Sequence, residues 1–108
     1  MPLYMSQFSY TKEAWAALAQ NPENRGVAVG ELLESMGGRL VSLYFTFGEY
    51  DGFVVFEAPD ANSAASFLVA AMSPGHIKDI KTTTAFTPEE AVEFMRKAGE
   101  ATFRGPGG

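Results

Sequence analysis

The chain of 108 residues has no cysteine and a single histidine. Disulfides, thiol nucleophiles, iron–sulfur clusters and cysteine-ligated zinc are thereby excluded, and so is any site built on two histidines, HExxH included. Positive charge is scarce as well: eight Lys and Arg against thirteen Asp and Glu leave a net charge of −5. From Arg96 onward, Arg96, Lys97 and Arg104 face only Glu100, a local +2 that leaves −7 on residues 1 to 95. A body this acidic repels phosphate backbones, which argues against nucleic acid as a partner. No apolar run approaches the ~20 residues of a membrane-crossing helix, and the Met-Pro-Leu-Tyr start has no basic flank. The expectation is a soluble, cytoplasmic protein with no membrane contact.

What is present is material for a core. Hydrophobic residues make up 46% of the chain and Phe alone occurs nine times, while charged residues at 19% keep the surface ordinary. One domain is expected over residues 1–108: a core at 1–87, a helix at 88–98 and a flexible tail at 99–108.

The most informative stretch is Gly48-Glu49-Tyr50-Asp51-Gly52, set between the apolar runs Leu40 to Phe47 and Phe53 to Phe56. Two glycines around a short acidic and aromatic segment predict a β-hairpin, with glycine supplying the positive φ of a tight reversal. Before it, Leu3 to Tyr10 has apolar residues in both alternate sets, as a central strand does. Thr11 is placed to cap a helix carrying Ala14, Trp15 and Leu18. Asn21-Pro22 interrupts that helix and predicts a second one, capped by Asn21, with Val29, Leu32, Leu33 and Met36 on one side up to Gly37-Gly38. Gly26 and Gly30 form no phosphate loop, since no strand precedes them, and point instead to close helix packing.

After the hairpin, Asp60 is placed to cap a helix with Ala64, Phe67, Leu68, Ala71 and Met72 at one-face spacing. Ser73-Pro74-Gly75 breaks it, and Ile77 to Phe86 reads as a strand whose Lys78, Asp79 and Lys81 suit a sheet edge. Thr87-Pro88-Glu89-Glu90 spells a capping box, followed by Ala91, Phe94, Met95 and Ala98 on one helical face. The order βαββαβ with right-handed crossovers predicts an α+β, ferredoxin-like fold. Its four-stranded antiparallel sheet has order 4-1-3-2, both main helices lie on one face, and one C-terminal helix is extra.

These residues resemble the GYD-domain family, small bacterial proteins of the dimeric α+β barrel superfamily. The carriers are Gly48-Glu49-Tyr50-Asp51, the run Phe53 to Asp60 and the run Thr82 to Phe86, and the likeness spans roughly residues 3 to 90. It implies a fold and a dimer rather than a reaction. Wider relatives include cofactor-independent monooxygenases and haem-handling enzymes, none of whose residues map onto this chain, and no cofactor or metal is expected.

A homodimer is also expected from the strands themselves. Val41, Leu43, Phe45 and Phe47 alternate with Leu40, Ser42, Tyr44 and Thr46, and the other strands are apolar in both sets too. Helices cover one face, so the other calls for a second copy, the simplest cover for an apolar surface.

For chemistry, His76 is the sole candidate general base or axial haem ligand, and the reading set against this is a solvated loop histidine. Ser73, His76 and Asp79 are close in sequence, which is not triad geometry. Asp51 and Tyr50 read as a base and a donor, or as a turn Asp that accepts backbone N–H groups beside a packed ring. Glu57 is a candidate acid if buried, and Trp15, Tyr4, Tyr10 and Tyr44 are core or pocket aromatics. The expected ligand is a small apolar molecule between sheet and helices, with Tyr4, Tyr44 and Thr46 in the pocket, His76 at its rim and Gly48, Tyr50 and Asp51 as the motif. The alternatives are an oxygenase or haem-associated enzyme, and a regulatory module whose last helix docks a partner.

Overall fold

In a computed structural model that describes residues 1–107, strand β1 (Leu3–Tyr10) is followed by helices α1 (Lys12–Gln20) and α2 (Arg25–Ser35). The hairpin β2 (Arg39–Phe45) and β3 (Gly52–Glu57) comes next, then α3 (Ala61–Met72), β4 (Ile77–Ala85) and α4 (Pro88–Glu100). The sheet is antiparallel throughout with order β2-β3-β1-β4, which is 4-1-3-2 read from the other edge. Residue 108, the last of the tail expected to be flexible, lies outside the described residues.

Local chemistry sets most of the helix ends. The Thr11 hydroxyl accepts from Ala14 N at 3.1 Å, and the Asp60 carboxylate accepts from Ser63 N at 2.8 Å. Thr87 and Glu90 form the reciprocal capping box. The start of α2 differs from expectation. Asn21 closes α1 by donating its N–H to Ala17 O, and it is Asn24 that caps α2, accepting from Gly26 N at 2.9 Å. An Asn with a proline behind it reads as a helix start, but its backbone is already committed to the preceding helix. Gly37, at φ +80°, then turns the chain out of α2.

The hairpin is also built differently from the sequence reading. Neither Gly48 nor Gly52 has a positive φ. Gly52 is needed for space: a Cβ there would lie 2.6 Å from the Phe8 ring and 2.6 Å from Tyr44 O. Strand β2 ends at Phe45, and Phe47, expected in the strand, is fully exposed in the connection. A bulge between Leu40 and Ser42 breaks the simple alternation, so Leu40 joins Leu43 and Phe45 on one face while Ser42 and Tyr44 stay on the other.

Tyr4, Ser6 and Phe8 of β1 stand opposite Phe56, Val54 and Gly52 of β3, and this face carries the helices. The core there is Tyr4, Leu33, Val54, Phe56, Ala58, Ala64 and Phe67, with Val29, Leu32, Met36, Leu40, Leu43 and Leu68 packed around it. Fully buried Ser6 shares a 2.7 Å hydrogen bond with Thr82, and no buried side-chain polar atom among the described residues lacks a partner. Leu3, Met5, Phe53 and Val55 project from the opposite face and are only half-buried, beside exposed Tyr44. Helix α4 has no buried residue at all.

Candidate functional site

Asp51 ties the hairpin to the end of β1. Its Oδ2 accepts from Tyr10 N at 2.9 Å and from the Trp15 indole N–H at 3.0 Å, and its own N–H donates to Phe8 O at 2.8 Å. Thr46 completes the clasp, donating its N–H to Asp51 O and its hydroxyl to Tyr50 O. With all these contacts made inside the subunit, Asp51 here is the turn residue that accepts N–H groups.

The clasp fixes an aromatic cluster. Tyr10 packs against Trp15 at 5.3 Å and Phe8 at 5.2 Å, and Phe45 closes the group at 6.0 to 6.2 Å from Trp15, Phe8 and Tyr10. Edge-to-face and tilted arrangements of this kind are the favoured ones for aromatic rings. Beside the cluster opens a cleft of about 210 Å³ lined by Tyr10, Ala14, Ala17, Leu18, Glu23, Arg25 and His76. On the sheet side of Tyr10 lies a smaller apolar recess of about 50 Å³ among Phe8, Val29, Leu43, Val54, Phe67 and Ile80. Tyr10 is a wall of both.

The cleft has polar groups at one end and alkyl walls elsewhere. Arg25 pairs with Glu23 at 2.6 Å and lines the cleft together with Tyr10. Burial pushes the Tyr10 hydroxyl above its ordinary value, with Arg25 acting in the opposite direction. The Glu23 hydrogen bond is the main reason that the Arg25 guanidinium is held still more firmly protonated than usual. Tyr10 is thus a neutral hydroxyl at ordinary pH, next to a permanent cation.

The four pocket candidates read from sequence do not converge. Tyr4 is in the core, stacked on Phe56 at 5.4 Å, whereas Tyr44 is on the far face of the sheet against Phe53 at 5.5 Å. Thr46 is used inside the hairpin, and only His76, exposed, lines the cleft. Glu57 is half-buried and pairs with Arg39. Arg25 and Glu23 escape sequence reasoning, because an Asn-Pro-Glu-Asn-Arg link between helices carries no signature of a site. The one usable signal is Tyr10, an aromatic at a strand end directly before a helix cap. Among the described residues, no group of three or more His, Asp or Glu is placed to hold a metal, and no helix is long and apolar enough to cross a membrane.

A βαββαβ chain with a four-stranded antiparallel sheet and its helices on one face has the ferredoxin-like α+β fold. Solved structures agree on that fold. MtbAldR matches with a TM-score of 0.59 at 14% identity over 80% of this chain, and this chain spans 53% of that one. TTHA0845 from Thermus thermophilus matches with a TM-score of 0.52 at 15% identity, over 81% of this chain and 95% of that one. The chain belongs to the GYD domain family, whose model matches residues 4–95. That match runs into α4, past the point at which the sequence likeness was expected to end. A Thermus thermophilus relative described as a glutamine synthetase and cystathionine beta-lyase binding protein is 32% identical over 78 residues, 72% of this chain and 82% of its own length.

Proposed function

We propose that this GYD protein is a homodimer closed over the open sheet face, each subunit of which holds a small, largely apolar molecule in the cleft beside Tyr10. The carrying observation is the position of Tyr10 between the two spaces. A ligand in the cleft would rest against Ala14, Ala17 and Leu18, with its polar end at Arg25, the Tyr10 hydroxyl and His76. The cleft is below the ~300–1,000 Å³ of drug-sized sites, which limits the occupant to a small compound. Leu3, Met5, Phe53, Val55 and Tyr44 supply the apolar surface for the dimer.

Native mass spectrometry of the purified protein tests both parts. The expected result is a dimer carrying a small molecule that is lost in Leu18→Trp, a substitution that fills the cleft from α1. An empty dimer in which small apolar compounds leave Trp15 fluorescence unchanged would overturn the ligand reading.

A second reading, a protein-binding module, is favoured by the description of the Thermus relative as a binding protein for two enzymes. It predicts that a metabolic enzyme is co-purified equally by wild type and by Leu18→Trp. If capture is lost only when the cleft is filled, the module reading fails.

A further inference from the structure

We infer that α4 is an arm that packs on a second copy of this chain and supplies the part of the dimer interface that the sheet face is too small to provide. The inference rests on the homodimer reading above, and it concerns where the last helix goes.

Helix α4 is well formed yet unsupported. It has a complete capping box, acidic residues Glu89 and Glu90 in its first turn and Lys97 in its last, all of which favour helix. Its face Ala91, Phe94, Met95 and Ala98 nevertheless has no buried member, with Phe94 48% and Met95 63% exposed. A 13-residue helix is marginal by itself and draws most of its stability from packing that face. Its ring contact is at its own root, Phe86 to Phe94 at 5.3 Å. The chain is correspondingly stretched, 63 × 31 × 22 Å with a radius of gyration of 17.7 Å, where about 13 Å is usual for this length.

Area decides what covers it. Four strands about 4.8 Å apart and of six to nine residues make a face roughly 19 Å wide and about 20–30 Å long. That footprint, on the order of 400–600 Å² per subunit, falls short of the ~800 Å² typical of a stable complex. The apolar stripe of α4, about 20 Å long and roughly 10 Å wide, adds ~200 Å² toward a shortfall of about 200–400 Å². Position agrees with area: Ala85, opposite Leu3, lies at the rim of the open face, and α4 starts three residues later. Charge adds nothing to this, because α4 carries Glu89, Glu90, Glu93 and Glu100 against only Arg96 and Lys97, and Arg96 already pairs with Glu93.

The test uses full-length protein and its freedom from cysteine. Sedimentation gives the dimer dissociation constant for wild type, for the α4 variant Phe94→Glu/Met95→Glu and for the sheet variant Phe53→Glu, with circular dichroism confirming the fold. In parallel, Met95→Cys bearing a nitroxide is mixed with isotope-labelled wild type. The expected result is a wild-type dimer weakened at least tenfold by either variant, with broadening of amides on the labelled partner's body. A wild-type dimer that ignores the α4 substitutions and shows no broadening across subunits would overturn the arm while leaving the dimer intact, also if a foreign protein then proves to need α4. A wild-type monomer would overturn both readings. Deletion of residues 88–108 provides a second variant that removes the arm without placing charge on it.

Discussion

The Trp15 indole donates to Asp51 Oδ2 at 3.0 Å, joining the first helix to the hairpin across 36 residues. Asp51 therefore acts through position: it holds the aromatic wall of the cleft in place. Because Trp15 is the sole tryptophan, its fluorescence reports on this contact directly.

Asp51→Ala should destabilise the subunit by about 1–3 kcal/mol, since Tyr10 N and the indole N–H lose their acceptor together. Trp15→Phe keeps a ring in the cluster and should cost about 1 kcal/mol. Urea unfolding of both single variants and the double variant measures their coupling. Additive effects would show that the bond contributes nothing.

Gly52→Ala and Gly48→Ala separate spatial need from turn geometry. The first drives a methyl into the Phe8 ring and Tyr44 O and should cost about 2–3 kcal/mol. The second meets nothing within 4 Å and should stay within about 0.5 kcal/mol of wild type. Equal midpoints in thermal unfolding would contradict this account of the hairpin.

Phe56 is fully buried between Tyr4 and Phe67, whose rings lie 5.4 and 4.8 Å away. Phe56→Ala should lose about 3–5 kcal/mol, a large part of the stability of a domain this size. Chemical denaturation at equilibrium provides the measurement, and a loss below about 1 kcal/mol would place the core elsewhere.

The Asp60 cap gives the protein an acid-sensitive contribution. Its carboxyl is held below the ordinary 3.8, first by the backbone N–H of Ser63 and then by the Ser63 side chain. A depressed folded-state value means that the stabilisation is present above the unfolded-state value and is lost as pH falls through the lower folded one. Asp60→Asn retains a capping acceptor that does not titrate. Relative to that variant, wild type should therefore lose ground only below about pH 4, as urea midpoints taken across the acid range would show. A difference independent of pH would remove Asp60 from the acid response.

Much of the fold is legible in the sequence because it depends on neighbours. Caps such as Thr11, Asp60 and Thr87 act within three residues, and the faces of α3 and α4 follow from helical spacing. The same locality explains the reading of α2: Asn21 and Asn24 offer the same side chain, and the backbone of α1 decides between them. The site is less legible. Tyr4 and Tyr44 are both strand tyrosines, yet one is core and the other is on the far side of the sheet.

Residue order alone is enough to establish the succession of elements and the absence of cysteine and two-histidine chemistry. It took the folded chain to show that a bulge at Val41 reassigns Leu40, that Phe8 leaves no room for a side chain at Gly52, and that Tyr10, Arg25 and His76 line one cleft. The difference is one of reach. Periodicity and capping are settled within a turn or two of backbone, whereas a cleft is made by side chains whose meeting depends on register and packing across the whole sheet.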